Sequence, residues 1–295
     1  MKHYLNEFLR HISATNTASD HTRDAYSRDV TQFLDFLDES DDLLSLDTDI
    51  AYNYLNELYN AKLSSTSVAR KISTLRSFFK FLQMNYGAQI NPFSSVKIKQ
   101  GSRSLPNYLT VEEMNALLLS CSDDNLGIRN QVLIELMYAC GLRLQECTNL
   151  KMSDISIRDR KLSIIGKGNK ERTLFFYESL AIKLDNYIKV IRPQLLKDKQ
   201  NDTLFLNTHG NPISRRGVQF VLEKQGKEAN LRMHLHPHML RHSFATHLLD
   251  NGANLRIVQT LLGHETLSTT QIYAHVSLSK IKDAYDSAMK NLPLT

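Results

Sequence analysis

Between His238 and Tyr273 the chain places two histidines, an arginine and a tyrosine at spacings that one phosphate could hold together. His238 and Arg241 stand three apart, so a helix puts them on one face. Gly252 and Gly263 each follow a run of helical character, and glycine just past such a run is a helix stop. Short helices with tight corners can bring His238, Arg241, His264 and Tyr273 to one point. Upstream, Arg143 and Glu146 show the same three-residue spacing, and Lys167 lies in Gly166-Lys167-Gly168-Asn169-Lys170 between two strand-like runs. Taken singly, each residue has a plainer reading: a structural histidine, a half-packed tyrosine, a helix ion pair, a solvated lysine. Taken together they suit attack on a phosphodiester, whose five-coordinate state piles charge on the non-bridging oxygens. Many enzymes hold that charge with Mg²⁺ and carboxylates. No Asp/Glu cluster accompanies these histidines, so the work falls to cations, with Arg143 and Arg241 as planar, permanently charged forks. His234, His236, His238 and His242 could also be read as metal ligands. Their alternation suits one strand face, however, and Pro237 breaks that strand before His238. No metal and no cofactor are expected.

The elements that must position these groups fall into two domains, which 295 residues are enough to build. The hydrophobic fraction of 42% is that of a soluble globular chain, and no apolar run approaches the ~18 residues of a membrane span. The first residues lack the apolar stretch of a signal peptide. Cys121, Cys140 and Cys147 have no paired or zinc-type spacing. Reduced thiols in a cytoplasmic protein, away from any membrane, are the expectation. The net charge of +5 is unevenly spread. Residues 1–60 carry four basic and twelve acidic side chains, a net of −8, whereas residues 61–105 carry eight basic and no acidic ones. A solvated face would normally mix in some acids; a block without them points to a polyanion, and nucleic acid is the natural one.

Residues 1–89 read as a helical domain. Leu5, Phe8, Leu9 and Ile12 form one apolar stripe, Tyr26, Val30, Phe33 and Leu37 a second, and a third helix begins near Asp47. In the fourth, from about Ser65 to Met84, Val68, Ile72, Leu75, Phe79 and Leu82 follow a core ladder. Thr66, Arg70, Ser73, Ser77 and Lys80 lie opposite, at about 200° round the helix. Those are phosphate-contacting types, so this face is expected on DNA, with Arg70 and Lys80 central and Lys71 and Arg76 flanking. Residues 90–107, rich in Asn, Pro, Ser and Gly, read as a linker. Residues 108–295 form the second domain. A capping box at Thr110-Val111-Glu112-Glu113 opens it, and a helix ends at Gly141. Leu162–Ile165 and Arg172–Phe176 form a hairpin holding Lys167 at its turn. The last helix, with Leu278, Ile281, Tyr285 and Ala288, has an apolar stripe in need of a partner.

Five segments in order carry a resemblance: Gly141-Leu142-Arg143-Leu144-Gln145-Glu146, Gly166-Lys167-Gly168-Asn169-Lys170-Glu171-Arg172, Pro237-His238-Met239-Leu240-Arg241-His242-Ser243-Phe244-Ala245-Thr246-His247-Leu248, Leu261-Leu262-Gly263-His264 and Ser268-Thr269-Thr270-Gln271-Ile272-Tyr273-Ala274-His275-Val276. The chain resembles the tyrosine recombinases, the phage integrase family, and within it the Xer type, from about Tyr26 to Val276. The likeness implies a mainly α fold: a helical core-binding domain, and a mostly helical catalytic domain with a small antiparallel β-sheet. The two would close as a clamp on double-stranded DNA carrying a specific core site. It also implies six catalytic residues, Arg143, Lys167, His238, Arg241, His264 and Tyr273. Tyr273 would be the nucleophile that forms a 3′-phosphotyrosyl link, His238 its proton acceptor and Lys167 the acid for the leaving oxygen. It further implies a homo- or hetero-tetramer, the latter with a paralogous recombinase, and a C-terminal helix docked in trans on a neighbour. The process implied is resolution of chromosome dimers at a dif-like site before division, under an FtsK-type translocase. A phage- or transposon-type integrase is the rival within the family, and a metal-dependent nuclease the rival outside it.

Overall fold

A computed structural model describes residues 1–14, 20–38, 41–98, 108–165, 171–197, 199–263, 277–290 and 292. It divides into two units, Met1–Leu105 and Pro106–Thr295. Its architecture is mainly α with one small antiparallel sheet, the class the sequence suggested.

The first unit packs α1 (Lys2–Ala14), α2 (Asp20–Phe36) and α3 (Thr48–Asn60) around α4 (Ser65–Tyr86). Local chemistry sets the helix ends. The Asp47 carboxylate accepts the N–H groups of Asp49 and Ile50 at the start of α3, Ser64 caps α4, and Gly87 closes it at φ +73°. The five-residue core ladder of α4 is buried as expected, and the opposite face, Thr66 to Lys80, is exposed. The buried sector is wider than one ladder, because Phe78 and Phe81 pack on Phe8 of α1 with ring centroids 5.3 and 5.6 Å apart.

Two of the expected DNA contacts, Lys71 and Arg76, have partners inside the first unit. Lys71, one step round from Arg70, is buried; its Nζ donates to Asp29 Oδ1 at 3.0 Å and to Gln32. Asp29 is 1% exposed and also accepts from Thr74 and Arg70. A buried carboxylate needs such donors, so Lys71 is spent inside the fold. Arg76 is likewise engaged: its guanidinium donates to the carbonyls of Phe93 and Val96. Those two residues, in the stretch assigned to the linker, are themselves buried in the first unit, Phe93 edge-on to Phe33 at 5.2 Å. Linker composition registers polarity, and two apolar anchors among the polar residues tie the segment down. The rest of the proposed linker, residues 99–107, lies outside the described residues.

The second unit is built on α6 (Asn125–Ala139), which is buried on all sides and so runs through the centre. α5 (Val111–Leu119), with the expected capping box at Thr110 and Glu113, packs on it. So do α8 (Glu178–Asn186), which continues through a π-turn into α9 (Arg192–Leu196), and α11 (Pro237–Asp250). α7 (Leu144–Asn149) and α10 (Arg215–Glu228) pack together, and α12 (Leu255–Leu262) packs against α11. The sheet runs in the order β1 (Ile155–Ser156), β2 (Lys161–Ile165), β3 (Glu171–Phe175), all antiparallel. The hairpin is the expected one, whereas β1, at two residues, is too short to show a period.

α13 (Leu278–Lys290) packs against α11 and β3 of the second unit. Ile281, Tyr285, Ala288 and Met289 are buried, and the Tyr285 hydroxyl donates to the Ala139 carbonyl at 3.1 Å. An apolar stripe states that a helix needs a groove, and the nearest one here belongs to the same chain. Among the described residues no helix is long and apolar enough to cross a membrane.

Candidate active site

The site starts from the way α6 ends. Gly141 takes φ +57°, and a Cβ there would lie 2.5 Å from the Phe244 ring of α11, so only glycine lets the chain turn against that helix. The turn delivers Arg143 as the residue before α7, and Glu146, three on, accepts the Arg143 backbone N–H at 2.8 Å. The other Glu146 oxygen accepts from Arg143 Nη1 at 2.9 Å. The expected ion pair is therefore real, and it fixes the root of the arginine.

Arg241 comes from the first turns of α11, a helix started by Pro237 and capped by His236. Its Nη1 donates to the Gly141 carbonyl at 2.5 Å and its Nη2 to the Leu262 carbonyl. Gly263 then closes α12 at φ +64°, and its carbonyl accepts from Arg143 Nη2 at 3.3 Å. Both guanidinium groups therefore lie on consecutive carbonyls at the C-terminal end of α12, the negative end of the helix dipole. Burial, and the Arg143 charge beside it, push the Arg241 pKa down to about 10, which leaves it charged at neutral pH. Two cations crowded at one corner form a receptor for an anion that can bind both forks.

Glu146 has a second cation. Arg172 of β3 donates from Nη2 to the oxygen that holds the Arg143 backbone, at 2.8 Å. Burial works to raise the Glu146 carboxyl. The hydrogen bonds from Arg172 and Arg143 outweigh it, and the pKa ends below the ordinary carboxylate range. Arg172 belongs to a segment that drew attention for Lys167. Nothing in its strand position signalled that it would reach the arginine pair across the fold.

His238 lies on the exposed side of α11, one turn before the buried Arg241. His242 is also exposed, with its ring 6.0 Å from that of Tyr108. α11 is held from behind. Ser243 accepts the Leu109 N–H at 2.8 Å, and His247, buried and so lowered in pKa, shares a 2.7 Å hydrogen bond with Tyr138 of α6. Lys167, His264 and Tyr273 lie outside the described residues. Lys167 falls between β2 and β3, whose last pair is Ile165 with Glu171, and His264 directly follows Gly263. Of the six expected catalytic residues, the structure thus brings Arg143 and Arg241 together with Glu146, and puts His238 on the helix that carries Arg241. Among the described residues no group of three His, Cys, Asp or Glu side chains could hold a metal ion.

Known proteins give the arrangement a family. Residues 107–280 match the phage integrase family, and residues 5–85 match the phage integrase N-terminal SAM-like domain. The tyrosine recombinase XerC of Oceanobacillus iheyensis is 40% identical over 297 residues, covering 98% of this chain and 96% of that protein. The tyrosine recombinase XerD of Staphylococcus epidermidis is 39% identical over 289 residues, covering 97% and 98%. Among solved structures, the XerH site-specific recombinase bound to its difH substrate is 25% identical. It superimposes with a TM-score of 0.66 over 95% of this chain and 83% of that one. The Tn1549 transposon integrase, at 18% identity and a TM-score of 0.71, shares the fold. The chain belongs to the phage integrase family and is a tyrosine recombinase of the Xer type, an enzyme that cuts DNA strands and rejoins them.

Proposed function

We propose that the chain recombines two copies of a dif-like core site in double-stranded DNA, with Tyr273 as nucleophile and Arg143 and Arg241 as the phosphate ligands. The observation that carries this reading is the pair of guanidinium groups at the end of α12, rooted by Glu146 and by the Gly141 and Leu262 carbonyls. Two forks held by the protein before any phosphate arrives are preorganised for the charge that develops on the non-bridging oxygens. A donor of that kind contributes on the order of 3–4 kcal/mol to the barrier.

The Tyr273 oxygen attacks phosphorus while its proton passes to His238, the phosphorus–O5′ bond breaks, and Lys167 protonates the departing 5′-oxygen. A phenol has a pKa near ~10, so it needs both the base and the nearby cations. His264 hydrogen-bonds the phosphate. The 3′-phosphotyrosyl bond keeps the energy of the phosphodiester, so a 5′-hydroxyl from the other site reverses the steps without ATP. XerH bound to difH supports the choice of substrate, as do the XerC and XerD relatives. By the resemblance of the motifs, the enzyme acts as a tetramer on two sites, homomeric or shared with a paralogous recombinase, on chromosome dimers in the cytoplasm. An FtsK-type translocase is the activator such a process calls for. In this assembly residues 1–98 and residues 108–295 each contribute to DNA binding.

A nicked duplex that loses its 5′-hydroxyl strand after cleavage tests the reading. The protein is expected to form an adduct stable in denaturant, with or without chelator, and Tyr273→Phe is expected to bind the duplex and form none. No adduct from the intact protein on a dif-like site would sink the mechanism, and cleavage that leaves no adduct and stops with chelator would favour a nuclease.

A further inference from the structure

We propose that Arg172, which has no part in the steps above, is a positioning residue that keeps the Arg143 guanidinium available to the phosphate. The proposal rests on the reading of Arg143 as a phosphate ligand. Glu146 is the group that Arg172 controls. One Glu146 oxygen holds Arg143 Nη1; the other holds the Arg143 backbone N–H and Arg172 Nη2, both at 2.8 Å. The Glu146 side chain is 10% exposed, so it cannot trade these donors for water. Without Arg172, one oxygen is left short of a cation. The carboxylate can then swing to take Arg143 side-on with both oxygens, the geometry that guanidinium and carboxylate prefer. A fork closed on Glu146 is a fork withdrawn from phosphate.

Two further observations point the same way. The Arg172 side chain lies flat beneath Gly263: a Cβ at Gly263 would sit 3.3–3.4 Å from its Cδ, Nε and Nη1. This is the corner from which the chain leaves for His264, and whose carbonyl meets Arg143. Arg172 also rises from β3 opposite Ile164, two residues after the segment that holds Lys167. One side chain thus touches Glu146 and the α12 corner from the strand next to the lysine turn. Its Nε is buried without a partner among the described residues.

The test measures single-turnover adduct formation on the nicked duplex, with duplex affinity and thermal melting recorded for the same samples, well below each melting point. Arg172→Gln is expected to slow adduct formation by about 10- to 100-fold, as loss of such supporting partners does, with affinity unchanged. Adding Glu146→Gln to it is expected to restore much of the rate, since a neutral amide no longer competes for Arg143. Arg172→Gln cleaving at the parent's rate, or losing affinity by the same factor as rate, would overturn the proposal. So would a double variant no faster than Arg172→Gln alone. Should Arg172→Gln fail to fold, Arg172→Met replaces it, because it keeps an unbranched stem under Gly263 but brings no cation to Glu146. A slowed rate then supports the role and a parental rate overturns it. No adduct from the parent sinks the reading of the site, whereas equal adduct rates from parent and variant sink only the role of Arg172.

Discussion

Arg143, Glu146 and Arg172 form a chain of alternating charge in which the central carboxylate is nearly buried and its pKa is depressed. A carboxylate held below its unfolded value contributes stability that is complete above the ordinary range and is lost as pH falls through the folded value. Glu146→Gln is therefore expected to cost about 1–3 kcal/mol at neutral pH, the worth of hydrogen bonds to a charged group. The cost should shrink as pH falls toward about 3, below the ordinary carboxylate value. Urea unfolding of both proteins across that range measures it. A gap that stays constant with pH would mean that Glu146 acts by shape and not by charge. Arg241 shows the opposite economy: burial and a neighbouring cation lower its pKa to about 10, and carbonyls hold it instead of a carboxylate. Each cation is fixed by partners that leave room for an anion.

At the scale of elements, the corner after α6 decides whether those side chains meet. Gly141 and Gly252 both take positive φ, at +57° and +85°, but only the first is crowded: Phe244 fills the space a Cβ would need, while nothing lies within 4 Å at Gly252. Gly252→Ala is expected to cost about 1 kcal/mol, the backbone term alone. Gly141→Ala adds a clash with a packed ring and is expected to cost about 2–4 kcal/mol in all. Because the Gly141 carbonyl anchors Arg241, this variant should also lose cleavage under conditions where it remains folded. Denaturant midpoints for the pair, beside adduct yields, separate the two costs. Equal destabilisation would show that α11 gives way easily at Phe244. The first unit repeats the theme, since α4 packs against three helices and leaves its Thr66–Lys80 stripe outside.

Across the whole molecule the charge is divided by task. The acidic excess of residues 1–60 includes Asp29, which pairs with both Lys71 and Arg70 of the first unit. The basic block therefore presents fewer free cations to a duplex than its composition suggests. Lys80→Ala is expected to weaken duplex binding and to lower the salt slope by roughly one, as one lost phosphate contact does. Lys71→Ala should act on the fold instead, leaving Asp29 short of a donor in a buried site and lowering the urea midpoint. Binding titrations at several salt concentrations decide this: an unchanged slope for Lys80→Ala would remove that face from the duplex.

The sequence by itself determined the class and the helix ends, and it carried the motifs from which the reacting groups are proposed. Caps such as Asp47, Thr110 and Gly263 act within a few residues, and the α4 ladder is a local period, so both were readable in one dimension. The motifs around Arg143, Arg241 and Tyr273 were readable for the same reason: each is a short run of chain. What tertiary structure decided was which cations are free and which are consumed. Lys71 and Arg76 lie within a residue or two of the exposed stripe, yet Asp29 and the carbonyls of residues 93 and 96, 17 to 42 positions away, claim them. Arg172 meets Glu146 across 26 positions, and α13 finds its groove beside Ala139, 146 positions from Tyr285. Spacing along a chain predicts a face of a helix. Only packing says what that face meets, because burial and pairing are set by residues that periodicity does not connect.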